Sequence, residues 1–309
     1  MMRLLLLVLP LTLLAEENAR TPARNPRPLL RVAAPEADPP LDAQSLSARI
    51  DGQPARVLRS LGPNDDLVIL LVLDLSGEPT LIDTARAALR EHIPTLPANA
   101  WVGLLRSQDN LAVLLDPTPD RERLLRAIDD YPATGKAGLL PSLEPVASLA
   151  NRLLDRGPVR VAIFYVTDSN IYNYREDYTN PVINSTDSRD LSRRFPDQLI
   201  REQMQKLSDR MVLFEAPIYI LHLNVFPDVI NEGYRRGLLQ ITEETGGLGV
   251  FCRSRAEISS EMSRLLTALR SHWSVTVEFK RQRQRIVNVD LFSGDRDIPN
   301  RARFAVGRR

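Results

Sequence analysis

Two apolar runs in this chain end in oxygen-bearing side chains, and those ends are where chemistry is expected. Val68 to Leu73 leads without a break into Asp74-Leu75-Ser76-Gly77-Glu78, and Val161 to Val166 leads into Thr167-Asp168. An unbroken apolar run of this length reads as a strand buried on both faces of a parallel sheet. Open α/β sheets bind ligands outside the carboxyl ends of such strands. Two strand ends carrying Asp74, Ser76, Glu78 and Asp168 therefore point carboxylates and a hydroxyl toward one crevice. Gathered acidic oxygens suit a small hard cation, with Mg²⁺ the usual candidate. Carboxylates alone also suit general acid–base hydrolysis, but no nucleophile, base pair or cofactor loop accompanies them here. Ser76 has neither a G-x-S-x-G setting nor a neighbouring His. His92, His222 and His272 are scattered and read as packing residues.

The elements needed to position those ends can be traced along the chain. Residues 1–15 hold Met1-Met2-Arg3, a Leu-rich run and Ala15, the pattern of a signal peptide, so an exported, periplasmic or extracellular protein is expected. Residues 16–43 are rich in Pro, Ala and Arg and read as an extended arm. Residues 44–66 form a β-hairpin, Leu46 to Ile50 and Arg56 to Leu61 around a turn containing Asp51-Gly52. Residues 67–272 alternate strand and helix and predict a doubly wound, mostly parallel sheet with helices on both faces. Trp101 to Ser107 and Leu111 to Leu115 predict an antiparallel edge. Residues 273–309 form a second hairpin and a last strand, and the terminal hairpins are expected to pack together as a small β module.

Composition narrows the class. The 309 residues are 43 % hydrophobic and 26 % charged, ordinary for a soluble domain with a real core. A net charge of +1 argues against a dedicated nucleic-acid binder. Cys252 stands alone, so no disulfide can form within the chain. Asn184-Ser185-Thr186 matches a glycosylation acceptor, and Arg281, Arg283 and Arg285 read as a solvated hairpin tip. The polar stretch 169–195, with Asn170, Tyr172 and further Tyr and Asn residues, emerges beside the acidic ends. Side chains of this kind combine apolar area with hydrogen bonding and suit a contact surface.

With its order of elements, the Asp74-x-Ser76 loop, Thr167-Asp168 and Glu243-Glu244-Thr245-Gly246-Gly247 before a short strand, the chain resembles a von Willebrand factor type A domain of the acidobacterial VWFA-related branch. The resemblance implies a secreted, non-enzymatic adhesion or protein-binding module with a metal-ion-dependent adhesion site. In that site a D-x-S-x-S loop, a Thr from a second loop and an Asp from a third hold the ion, and a partner carboxylate completes its shell. Asp74, Ser76 and Asp168 match. Glu78 replaces the second Ser, Ala137 falls where the Thr belongs, and Ser169 follows Asp168 in place of Gly. Two arrangements relieve the repulsion among Asp74, Glu78 and Asp168. Either Mg²⁺ binds with Glu78 as substitute ligand, or the Lys136 ammonium serves as a built-in cation. The altered ligand positions put the metal-free arrangement first. Ser76, Glu78, Lys136, Asn170 and Tyr172 are then the residues expected to meet a protein or peptide of the cell envelope or exterior.

Overall fold

The computed structural model describes residues 29–36, 40–174, 196–224, 228–278 and 286–305. The signal-peptide residues, the glycosylation triplet and the arginine-rich hairpin tip lie outside them. Strand β4 (Leu67–Asp74) is almost wholly buried, as its apolar run requires. It lies in parallel between β5 (Ala100–Arg106) and β7 (Arg160–Thr167), with Leu71 opposite Leu104 and Phe164, and Asp74 opposite Thr167. With β6 (Ala112–Thr118), β8 (Ile218–His222) and β9 (Gly249–Phe251) they form a six-stranded sheet of order β6-β5-β4-β7-β8-β9. Edge strand β6 runs antiparallel to β5 and the other pairings are parallel, so the sheet is mixed.

Helices cover both faces. On one, α1 (Pro79–His92), α2 (Arg121–Asp129) and α6 (Ile258–Ser271) pack over Ile69, Leu71, Leu104 and Phe164. On the other, α3 (Leu139–Arg156), α4 (Pro196–Met211) and α5 (Val229–Glu244) pack over Leu70, Val72, Ile163 and Tyr165. Local chemistry fixes the helix ends. Asp120 caps α2 by accepting the Arg123 N–H at 2.9 Å, and Pro79 occupies the first turn of α1. The chain leaves α5 through Gly246 at φ +80°, with the Gly247 N–H returned to the Thr242 carbonyl at 2.8 Å. A Cβ on Gly247 would lie 1.9 Å from the Ile218 carbonyl oxygen, so a side chain there would block the approach to β8.

The terminal hairpins build more than a small module. β1 (Leu29–Ala34), β2 (Leu46–Ile50), β3 (Gln53–Leu61), β10 (Trp273–Glu278), β11 (Ile286–Ser293), β12 (Arg296–Ile298) and β13 (Arg303–Ala305) form a seven-stranded sheet, and its pairings are antiparallel. Asp51 and Gly52, at φ 48° and 75°, make the tight β2–β3 turn. β1 lies inside the stretch read as an extended arm. Its partner β10 is far along the chain, and Leu30, Val32 and Ala34 supply only a short buried stripe, so the sequence pattern there is faint.

Two buried arginines join this sheet to the α/β layers. Arg160, fully buried, donates to the carbonyls of Arg270 and His272 at the end of α6 at 2.8 and 2.9 Å. It also reaches the carbonyls of Pro63 and Asp65, in the chain leaving β3, at 3.0 and 2.8 Å. Arg301 donates to the Met211 and Phe214 carbonyls at the end of α4 and lies 4.2 Å over the Phe304 ring. Cations at helix C-termini satisfy carbonyls that have no partner within the helix. Burial pulls both guanidinium pKa values down to about 10, which leaves them charged at neutral pH. Arg160→Met keeps much of the packing volume and strands four carbonyls. It is expected to cost about 3 kcal/mol in urea unfolding, with one cooperative transition retained.

Candidate functional site

The adjoining ends of β4 and β7 bring Asp74 and Asp168 together as expected, but the two carboxylates meet different donors. Asp74 is completely buried. Its Oδ1 accepts the Ser107 hydroxyl at 3.0 Å and the Gly138 N–H at 2.8 Å. Its Oδ2 accepts the Thr167 and Ser169 hydroxyls at 3.0 and 2.6 Å, with the Tyr174 hydroxyl at 3.5 Å. The ends of β5 and β7, the start of α3 and the turn Ile171–Tyr174 thus converge on one side chain. Hydrogen bonds from several donors are what permit an ionised carboxylate to be buried.

The cage is built for close approach. Gly138 is the residue before α3, and a Cβ there would fall 1.7 Å from the Ser107 carbonyl oxygen. Only glycine brings this N–H, and the positive end of the α3 dipole, onto Asp74. The Ser169 hydroxyl also contacts those of Thr167 and Tyr174, at 2.8 and 3.0 Å, and Tyr174 accepts the Leu139 N–H at 3.0 Å. Behind it, the Ser169 carbonyl accepts from His222 Nε2 at 2.8 Å and from Tyr234 at 3.2 Å. Burial lowers the His222 pKa to about 4, so the ring is neutral near pH 7. The other histidines are also engaged in packing, His92 with Ser259 at 2.9 Å and His272 with the Leu269 carbonyl at 2.6 Å.

Asp168 is half-buried and closes the other side of the loop. Its carboxylate accepts the Ser76 and Gly77 backbone N–H groups at 3.0 and 2.7 Å. Desolvation raises its pKa above the ordinary carboxylate value, against the opposing effect of these two bonds. Ser76 is half-buried and Glu78 exposed. Glu78 supplies the first carbonyl of α1, and its carboxylate accepts the Thr80 hydroxyl. Lys136 is exposed and its loop is fixed through the backbone, by N–H to Asp109 Oδ1 at 3.0 Å and carbonyl to the Asp109 N–H at 3.1 Å. Hydroxyl and amide donors, rather than that ammonium, surround Asp74. Ala137, where a hydroxyl ligand was expected, packs into the apolar cluster beneath α3. Asn170 accepts the Tyr172 N–H at 3.0 Å, and the Tyr172 ring is 40 % exposed at the edge of the site.

A divalent ion held through Asp74 does not fit this arrangement. Both oxygens are taken by protein donors and no face of the carboxylate is open. Among the described residues, no group of three or more His, Cys, Asp or Glu side chains is disposed to hold a metal ion. The residues that decide this, Ser107, Gly138, Thr167, Ser169 and Tyr174, were not singled out in the sequence as donors to Asp74. Thr167 and Ser169 flank Asp168 and carry a readable hint; Tyr174 reaches Asp74 only through a turn that periodicity does not reveal.

No family model and no curated protein matches the sequence. The chain has a von Willebrand factor A-like fold. Solved structures similar to it include a von Willebrand factor type A protein from Catenulispora acidiphila, at 11 % identity and TM-score 0.43, covering 92 % of this chain and 74 % of that one. The three N-terminal domains of the type V pili tip protein Mfa5 from Porphyromonas gingivalis match at 12 % identity and TM-score 0.43, over 77 % of this chain. Proximal thread matrix protein 1 from the mussel byssus, whose structure has a zinc-occupied MIDAS motif, matches at 14 % identity and TM-score 0.41, over 70 % of this chain. This chain spans 55 % of the pilus tip structure and 48 % of the byssus one.

Asp74→Ala is expected to cost about 3 kcal/mol in chemical denaturation, because its buried donors lose their acceptor. Asp168 gives a pH test. With a raised folded-state pKa, its contribution to stability is full below the unfolded value and is lost as pH rises through the folded one. Asp168→Asn removes that term, so stability of the variant minus that of the wild type is expected to rise with pH across this mildly acidic window and to be level at neutral pH.

Proposed function

We propose that this chain is a non-enzymatic binding module that holds a protein or peptide partner on its strand-end face without a metal ion. The observation that carries the reading is the saturation of Asp74: its oxygens are spent on five protein donors, so the carboxylate serves as an internal fastener. The contact chemistry then falls to the rim. Glu78 and Lys136 offer exposed charges of opposite sign, and Ser76, Asn170 and Tyr172 offer hydroxyl, amide and aromatic surface. An aromatic ring with a polar tip is well suited to a rigid contact. The partner is proposed to be a protein or peptide of the cell envelope or exterior, in keeping with the leader-like residues 1–15. Among the described residues no helix is long and apolar enough to cross a membrane.

Titration of the purified protein with Mn²⁺ is expected to show no saturable site that depends on Asp74. A micromolar site present in the wild type and lost in folded Asp74→Ala would overturn the metal-free reading. Cross-linking to an envelope extract is expected to yield a discrete adduct that disappears when Lys136→Glu and Tyr172→Ala are combined. An adduct of unchanged yield would remove the rim from the binding surface.

A further inference from the structure

A second site lies at the other end of the six-stranded sheet, where the Gly246-Gly247-Leu248 turn enters β9 and faces the outer flank of α6. A cavity of about 900 Å³ opens there, a volume within the range of small-molecule sites. Ser263, Thr267 and Ser271 line it from α6, and apolar carbon from Leu248, Ala268 and Pro299 lies among them. Hydroxyls along a helix carry no assignment alone, and the decisive group comes from β8.

Tyr219 forms part of the wall and is 3 % exposed. Its phenolic oxygen has no hydrogen-bond partner among the described residues, and it is not among the atoms sealed away inside the protein. The cavity is the space it faces. Burial raises its pKa, so the hydroxyl stays protonated and can both donate and accept. A buried hydroxyl left unpaired is costly, and such groups normally find a partner.

The charges around the cavity limit what the partner can be. Glu36 accepts the Trp273 indole N–H at 2.9 Å and the Leu41 N–H at 3.2 Å, and Arg264 is paired with Glu261 at 2.7 Å. Glu243 adds one exposed acid. No cluster of either sign selects an ion, whereas alternating hydroxyl and apolar carbon complements a molecule built the same way.

We infer that this cavity binds a neutral, polyhydroxylated ligand with an apolar face, the chemistry of a short saccharide, with the Tyr219 hydroxyl as its hydrogen-bonding anchor. The assignment is independent of the strand-end face and stands whether or not that face binds a partner.

Cellobiose and maltose are suitable probes, titrated calorimetrically into the full chain with saturation-transfer NMR as a second readout. At least one is expected to bind saturably. Tyr219→Phe removes a single oxygen and is expected to weaken that binding about fivefold. Ser263→Trp fills the cavity from α6 and is expected to abolish it, with circular dichroism confirming that both variants fold. If Ser263→Trp does not fold, Tyr219→Phe decides alone. Saturable binding of neither sugar, or unchanged affinity in folded Tyr219→Phe, overturns the inference. Binding of octanol but neither sugar also overturns it, in favour of a purely apolar ligand.

Discussion

A carboxylate buried out of reach of water is the constraint around which the upper half of this molecule is arranged. An isolated ionised Asp in a protein interior would cost several kcal/mol or more, and Asp74 is tolerated because the surrounding chain supplies donors. Those donors come from widely separated parts of the sequence: Ser107 after β5, Gly138 before α3, and Thr167, Ser169 and Tyr174 at and beyond the end of β7. Satisfying one side chain therefore fixes the relative positions of neighbouring strand ends, a helix start and a turn. The parallel register of β4 with β7, which sets Asp74 opposite Thr167, belongs to the same arrangement.

The second carboxylate has the opposite character. Asp168 is partly open, holds the Ser76–Gly77 backbone, and has its pKa raised by desolvation. One acid thus organises the interior while the other shapes the loop that reaches solvent. A closed, self-satisfied floor beneath an exposed polar and aromatic rim gives a rigid platform. Side chains on a platform of this kind lose little further freedom on contact, which favours recognition over turnover.

Much of this was legible in the sequence, for identifiable reasons. The apolar runs before Asp74 and Asp168 announce fully buried strands, and Asp51-Gly52 announces a tight hairpin, because in both cases the signal is local. Gly246-Gly247 marks the end of α5 for the same reason. β1 was not legible, since its pairing with β10 spans most of the chain and its small apolar residues form no distinct period. The acidic ends could be placed side by side from sequence, but their surroundings could not. Hydroxyl residues are common, and nothing local says that Ser107 and Tyr174 converge on Asp74 instead of facing water. Lys136 looked like a neutralising cation on grounds of charge, yet neutral donors supply that service at lower desolvation cost.

The paired arginines bear on how the chain can be divided. Arg160 lies within the α/β layers but takes two of its acceptors from Pro63 and Asp65, whereas Arg301 lies beyond those layers and takes acceptors from Met211 and Phe214. A fragment trimmed to residues 67–272 would lose partners of both clamps at once: a buried guanidinium at one end, bare helix carbonyls at the other. The natural unit of expression, fusion or grafting is consequently the α/β layers together with the seven-stranded sheet. A tag or linker belongs outside residues 29–305, where it severs neither clamp.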